Sequence, residues 1–396
     1  MNNAPRPEEL GPAHHAMQAF VRQYRRHPEV LFRAPGRVNC IGDHTDYQGG
    51  WSLPIALTLA THVALAWRAD DQVRAGSDLG NAKFSSTLSE LAQSARQAAV
   101  GAALEGLSGF IAAAVDLLAV DRGFDLWVTS DLPVGSGLSS SAALSLGLLS
   151  ALSSPSGLPQ PELIRLAQAM ENRYLGVNSG ILDQTAIAYA RADHAVFIDA
   201  QAGTASPIPF DFAAAGYRLW IIDTRTPRSL AHSAYDRRVA ETRQASQDLG
   251  LPNLRAAAAD DWQRLADPVL RKRARHVITE NQRVWQTVEL AASGRWDRVA
   301  SLLTNSHRSL RDDFEVSTPA LDAVVDLVDG LNPLLSEGFA GARLTGAGFG
   351  GSVIALFPGS AETRLRSALG DVAAALPGPP AIIPIARPED GLRQAK

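Results

Sequence analysis

Cysteine is nearly absent from this chain: Cys40 is the only one in 396 residues. An intramolecular disulfide and a cysteine-built zinc site are thereby excluded, and a cytoplasmic location is expected. Lysine is almost as scarce, present only at Lys83, Lys272 and Lys396. Neither Lys83 nor Lys272 follows a glycine-rich loop and Lys396 ends the sequence, so the phosphate loop GxxxxGK(S/T) is missing. The strand-borne lysine of a protein kinase is missing too. Any phosphate chemistry must use backbone amides, arginine and a metal. The start, MNNAPRPEELGPAHHAM, has no apolar core and does not read as a signal peptide. Residues 132–161 carry no charge, but Pro133, Pro155 and Pro159 interrupt them. Their continuous apolar part is shorter than the roughly 20 helical residues that cross a bilayer. With a net charge of −4 and one short basic cluster, Arg271-Lys272-Arg273-Ala274-Arg275, no nucleic-acid or membrane partner is expected.

What is present is ordinary for a soluble globular protein of two or three domains: 46% hydrophobic and 20% charged residues. Periodicity predicts a helix over 12–27, strands at 30–34, 53–66 and 124–130, and an apolar helix over 142–152. A helix opening on Pro161 runs to Glu171. Strands follow at 195–198 and 217–223, then mostly helix from 230 to 328, strand–loop–strand over 342–357 and a closing strand at 381–386. Grouped helices with antiparallel-looking strands favour an α+β architecture over a doubly wound sheet. Residues 203–216 are the expected boundary between two α/β halves.

Four segments carry chemistry. The run Gly36-Arg37-Val38-Asn39-Cys40-Ile41-Gly42-Asp43-His44-Thr45-Asp46-Tyr47-Gln48-Gly49-Gly50 packs charged and polar side chains between glycines. That composition suits a ligand with many hydroxyls, although a polar surface loop is the plain alternative. In Leu132-Pro133-Val134-Gly135-Ser136-Gly137-Leu138-Ser139-Ser140-Ser141-Ala142-Ala143-Leu144 a glycine-serine loop opens straight into a helix. Such a helix start offers unpaired amides and a partial positive charge to an anion; a flexible linker is the alternative. Leu344-Thr345-Gly346-Ala347-Gly348-Phe349-Gly350-Gly351-Ser352-Val353 allows close backbone approach to a ligand or to another loop, or makes a tight turn. In the fourth segment, Glu171 to Gln184, Asp183 sits between apolar neighbours. It is either a helix N-cap or a carboxylate that needs a cationic partner to stay charged.

The order GRVNxIGxHTDYxGG, PxGxGLSSSAAL, ENxxxGVxxGxxDQ, TGAGFGGS resembles the galactokinases, within the wider group of galacto-, homoserine, mevalonate and phosphomevalonate kinases. The likeness spans roughly residues 30 to 360. It implies an α/β (α+β) two-domain fold, with a ribosomal-protein-like N-terminal unit over 1–205, a ferredoxin-like C-terminal unit over 206–396 and the active site between them. It implies transfer of the γ-phosphoryl of ATP to the anomeric hydroxyl of galactose, with Asp183 as base and Arg37 beside it. Asp43, His44, Asp46, Gly180 and Tyr235 match sugar contacts. Gly135, Ser136, Gly137, Leu138, Ser139, Ser140 and Ser141 match the triphosphate cradle, and Ser141 with Glu171 matches the Mg²⁺ holders. A monomer or weak homodimer is expected.

One departure bears on the substrate. The family usually has glutamate where this chain has Asp43, in contact with the sugar 6-hydroxyl. Aspartate falls short by ~1.5 Å. Galactose therefore shares the field with arabinose, N-acetylgalactosamine or another galactose-like sugar. A non-catalytic galactose sensor is the rival from another class; the intact serine loop, Asp183 and Arg37 speak against it.

Overall fold

The computed structural model describes residues 11–79, 82–98, 103–133, 136–176, 180–227, 231–372 and 376–395. Its strands are β1 (Val30–Asn39), β2 (Trp51–Ser52), β3 (Pro54–Trp67), β4 (Gln72–Ser77), β5 (Lys83–Thr87), β6 (Phe124–Ser130), β7 (His194–Asp199), β8 (Thr204–Pro209), β9 (Tyr217–Asp223), β10 (Gly341–Leu344), β11 (Ser352–Pro358), β12 (Ala381–Ile385) and β13 (Arg393–Gln394). Its α-helices are α1 (Pro12–Tyr24), α2 (Leu88–Ala98), α3 (Gly106–Leu118), α4 (Ser140–Leu152), α5 (Gln160–Ala169), α6 (Leu182–Tyr189), α7 (Ala231–Asp248), α8 (Pro268–Ala292), α9 (Trp296–Asp312), α10 (Pro319–Gly330) and α11 (Glu362–Val372).

The first sheet has the order β13-β1-β3-β6-β4-β5, mixed because β4 runs parallel to β6. Its long strand β3 is apolar almost throughout because both faces are covered. Val63 and Leu65 face the core that contains α4, while the alternating Ala64 and Ala66 pack with Leu31 and Trp127 against Ala16, Ala19 and Phe20 of α1. Helix α4 is apolar on every side and is buried against β1, β3, α3 and α5. The second sheet, β10-β11-β9-β12, is antiparallel. Leu219 and Ile221 of β9 join the first core, and Trp220 and Ile222 join a second one with α8, α10 and α11. A small third sheet has the order β2-β7-β8.

The expected α+β arrangement is the one observed. The predicted helix over 12–27 stops at Tyr24, where Arg25 takes a left-handed conformation (φ 59°) as C-cap. Arg37, Val38 and Asn39, read as loop, continue β1. Residues 203–216, read as a boundary, contain β8, which forms a hairpin with β7. The C-terminal strand β13 returns to the first sheet and pairs with β1 through Phe32–Gln394 and Arg33–Arg393.

Asp125 on β6 is fully buried, and three arginines from different segments close on it: Arg74 Nε at 2.6 Å, Arg26 Nη2 at 2.7 Å and Arg68 Nη1 at 3.3 Å. Burial pushes its carboxyl up, and the Arg74 and Arg26 bonds and charges reverse this, leaving it below the ordinary aspartate value. Removing one partner of a buried ion cluster strands the rest. Asp125→Ala is therefore expected to cost about 3 kcal/mol in urea denaturation. A loss well under 1 kcal/mol would mean that the arginines simply turn into solvent.

Candidate active site

The strand β1 and the first turn of α6 bring together two residues far apart in sequence. Arg37 Nε and Nη2 both donate to Asp183 Oδ1, at 2.8 and 2.5 Å, and Ser139 Oγ donates to Asp183 Oδ2 at 2.5 Å. Arg37 is buried at 7% exposure, while the Asp183 side chain keeps 32%. Ile181, not Asp183, is the N-cap of α6, so the carboxylate is free of the capping role considered above. Arg37 also donates through Nη1 to the Gly137 carbonyl at 2.7 Å and through its backbone amide to Leu138 O at 3.2 Å. A side chain at the preceding Gly36 would stand 2.7 Å from that same Leu138 carbonyl and 2.4 Å from Leu132 Cδ2. Glycine is what lets β1 lie against the glycine-serine loop.

That loop ends at Ser139, the N-cap of α4, in a left-handed conformation (φ 61°, ψ 42°). Its hydroxyl goes to Asp183 and caps nothing, so Ser139 gives the first amides of α4 no side-chain acceptor. The amides and the dipole of this helix end suit a phosphate. Ser136 is buried and donates to Pro133 O at 2.8 Å, while its own carbonyl accepts from Ser352 Oγ at 3.0 Å, tying the loop to β11. Ser140 and Ser141 occupy the first turn of α4, and Ser141 is exposed. Gly135 lies outside the described residues. Glu171 is buried in a π-helical turn (Met170–Tyr174) that packs against α4, and its Oε2 accepts from Gln184 Nε2 at 2.8 Å. No group of three His, Cys, Asp or Glu side chains that could cage a metal occurs among the described residues. A hydroxyl and a carboxylate suit a hard cation that leans on phosphate and water for its other ligands, the habit of Mg²⁺.

Opposite the loop, Asp46 lies beside Gly180: a Cβ at position 180 would stand 2.8 Å from Asp46 Oδ2. Burial raises the Asp46 carboxyl to about 6. Tyr235 of α7 packs on His44 and Tyr47, each with ring centroids 5.7 Å away. Its phenol is pushed up by burial and then by Asp46 and Asp183, so it stays protonated.

His44 and Asp43, expected to meet sugar hydroxyls, have their polar atoms engaged by the protein. Burial lowers the His44 imidazole to about 3, so the ring is neutral and has one N–H. A carbonyl can only accept, so Nε2–H donates to Ala347 O at 3.2 Å and Nδ1 accepts from the Tyr47 hydroxyl at 3.0 Å. Asp43 Oδ1 accepts from Asn39 Nδ2 at 2.8 Å; Oδ2 accepts from Gly346 N at 3.2 Å and from Arg343 Nη2. Sequence reasoning missed Arg343, Asn39 and His276, whose Nε2 donates to the Asp43 carbonyl at 3.2 Å. An arginine between Ala342 and Leu344 on a buried strand was the available signal.

Three buried histidines contribute to the acid sensitivity. Burial lowers His44 to about 3 and both His276 and His62 to about 4, whereas an unfolded imidazole titrates near ~6.5. Below that pH the unfolded chain binds more protons, so their stabilisation is whole above pH ~6.5 and is lost as pH falls towards the folded values. Asp46, raised, acts in the opposite sense and loses its contribution as pH rises through about 6. Each histidine is expected to cost about 2 kcal/mol between pH ~6.5 and 5. His62 lies beside Arg33 under α1, so His62→Phe should flatten the stability–pH curve by that amount. An unchanged slope would show that its protonated ring reaches water.

Comparison with known proteins agrees over the length of the chain. The galactokinase galactose-binding signature matches residues 18–66, the GHMP kinases N-terminal domain residues 99–191 and the GHMP kinases C-terminal domain residues 287–375. Streptomyces coelicolor galactokinase is 37% identical over 366 residues, 90% of this chain and 92% of its own. The galactokinase of Roseiflexus sp. is 36% identical over 387 residues, 95% of each chain. The crystal structure of Lactococcus lactis galactokinase complexed with galactose superposes with a TM-score of 0.85 at 30% identity, covering 96% of this chain and 99% of that one. Methanococcus jannaschii mevalonate kinase shares the fold, with a TM-score of 0.63 at 19% identity. With the signature spanning Arg37 to Asp46 and the relatives alike over nine-tenths or more of the chain, the chain belongs to the galactokinases of the GHMP kinase family.

Proposed function

We propose that this cleft transfers the γ-phosphoryl group of ATP to the anomeric hydroxyl of galactose, with Asp183 receiving the proton. The observation that carries the reading is the Asp183 carboxylate, held on both oxygens by Arg37 and Ser139 at the uncapped start of α4. The anomeric oxygen bonds to the γ-phosphorus as the bond to the β-phosphate oxygen breaks. The hydroxyl proton passes to Asp183 and from its partly exposed carboxyl to water, leaving galactose 1-phosphate and ADP. Such transfer is mostly positioning and electrostatics. Arg37 sets its guanidinium against Asp183, and the amides of Gly137 to Ser141 are suited to take the phosphates. Ser141 and Glu171 are the residues that would hold Mg²⁺, whose charge screens the phosphate oxygens.

Asp46, Gly180 and Tyr235 line the sugar side in this reading, with His44 holding the wall behind them. Asp46 is the acceptor best suited to sugar hydroxyls, because the described structure gives its carboxylate no side-chain donor. A second reading, a related sugar 1-kinase, has one observation in its favour: the Asp43 carboxylate is taken up by Arg343, Asn39 and Gly346. The buried lone thiol of Cys40 suits a reducing compartment, and the reading is of a cytoplasmic enzyme, monomeric or weakly dimeric, with its two kinase units over 1–205 and 206–396.

The test is Mg-ATP turnover by coupled ADP release with galactose, 2-deoxygalactose, N-acetylgalactosamine, arabinose, galacturonate and glucose. A dominant galactose rate is expected; a dominant arabinose or N-acetylgalactosamine rate would transfer the same mechanism to the second reading. Asp183→Asn keeps the shape of the side chain and removes its basicity. It is expected to lower kcat about a thousandfold while galactose binding by calorimetry stays measurable. Loss of binding together with folding would make Asp183 structural instead.

A further inference from the structure

We propose that Arg343 is a positioning residue of the sugar site, acting through Asp43 to lock the loop at residues 42–50 onto the glycine loop at residues 346–351. The proposal rests on the reading of this cleft as a sugar kinase site.

Arg343 is 0% exposed on a buried strand between Ala342 and Leu344. Burying a guanidinium costs several kcal/mol unless its hydrogen bonds are met, and a strand that needed only packing would carry an aliphatic residue there. The head of Arg343 leaves its own sheet. Nη1 donates to the Cys40 carbonyl at 3.0 Å and lies 3.6 Å from Glu280 Oε1, while Nη2 donates to Asp43 Oδ2. Gly346, three residues on, sends its amide to the same Asp43 oxygen at 3.2 Å. One carboxylate thus joins both loops. Glu280 extends the lock: its Oε1 accepts from the Gly42 amide at 2.9 Å, and Ser306 Oγ lies 2.8 Å from both of its oxygens.

What the lock holds is the path of the chain into the sugar side. The Asp43 carbonyl is fixed by His276. His44 follows at φ 64°, a conformation that a non-glycine side chain rarely takes, and is pinned between Tyr47 and Ala347. Asp46 lies two residues further on. If Arg343 is lost, Asp43 keeps only the amide hydrogen bonds of Asn39 and Gly346, and the turn that aims Asp46 loses its charged anchor. The phosphate side is held separately, by Arg37 on Gly137 and Leu138 and by Ser352 on Ser136.

The test measures the galactose Kd by calorimetry without nucleotide, KM for galactose and for Mg-ATP, and Tm, for the parent, Arg343→Lys, Asp43→Asn and the double variant. Each single variant is expected to weaken galactose about tenfold in both Kd and KM, with KM for Mg-ATP changed less than about twofold. The double variant should be no worse than the poorer single, the mark of a coupled pair. Unchanged galactose constants with a lower Tm would overturn the proposal and leave Arg343 as scaffold only. Equal rises in both KM values, or independent effects in the double variant, would overturn it too. Asp43→Asn preserves the side-chain shape and decides the matter if Arg343→Lys does not fold. A parent that binds no galactose would instead overturn the sugar reading itself, and this proposal with it.

Discussion

One ion pair, Arg37 with Asp183, makes the demands that the surrounding backbone meets. It joins residues 146 apart. A guanidinium at 7% exposure needs its charge answered and its donors filled. Asp183 answers the charge and takes one donor each from Nε and Nη2, and the Gly137 carbonyl takes one from Nη1. Both requirements force β1, the glycine-serine loop and α6 to within hydrogen-bond reach of one another. Gly36 gives up its side chain so that the loop can approach, and Ser139 adopts a left-handed conformation so that its hydroxyl reaches Asp183. The same diversion leaves α4 without a side-chain cap. Anchoring the carboxylate and opening the helix end to an anion are therefore two consequences of one backbone turn.

The two sides of the cleft differ in how they treat polarity. At the glycine-serine loop the polar groups are backbone amides and serines beside the Arg37–Asp183 pair, and Ser141 is exposed. On the other side His44, Tyr47, Tyr235 and Phe314 form an aromatic cluster, with His44 and Phe314 centroids 4.7 Å apart. Desolvation there lowers the imidazoles of His44 and His276 and raises Asp46 and Tyr235. A neutral His44 is what allows one ring nitrogen to donate and the other to accept. A protonated ring would have a second donor and could not receive the Tyr47 hydroxyl. Burial thus fixes the charge of the ring, and the Ala347 carbonyl, which can only accept, fixes its tautomer.

Much of this was legible in the sequence, and the parts that were not share a cause. Asp183 between apolar neighbours called for a cation, and the arginine beside it in space came from the first polar segment. The uncharged serine-rich stretch read correctly as a loop feeding a buried helix, because its apolar residues follow without a break. The strands β3, β6 and β9 stood out since their alternate residues enter different cores. The segment from 72 to 118 did not, because β5 is a partly exposed edge and alanine-rich α3 gives little contrast between faces. The strand β8 within 203–216 did not stand out, because its two prolines are tolerated only on an edge strand. A charged residue on an apolar strand signals that a partner exists, but the local sequence does not say which, so Arg343 could not be matched to Asp43, 300 residues away.

Asp43 shows how a single methylene is decided by its surroundings. A shorter carboxylate in an otherwise unchanged loop would be expected to leave a gap towards the ligand, to be filled by water or by a different sugar. Here the gap argument changes form, because the carboxylate has three protein donors: a buried guanidinium, a side-chain amide and a backbone amide. Those donors favour the anion, while burial, the larger influence, together with the nearby Glu280 leaves the carboxyl above its ordinary value. Arg343 has no solvent to fall back on, so the pair is held more tightly than any contact with an exchangeable sugar hydroxyl would be. The length of the Asp43 side chain is therefore set first by the distance to Arg343, and its consequence for the sugar is transmitted through the position of the loop it holds.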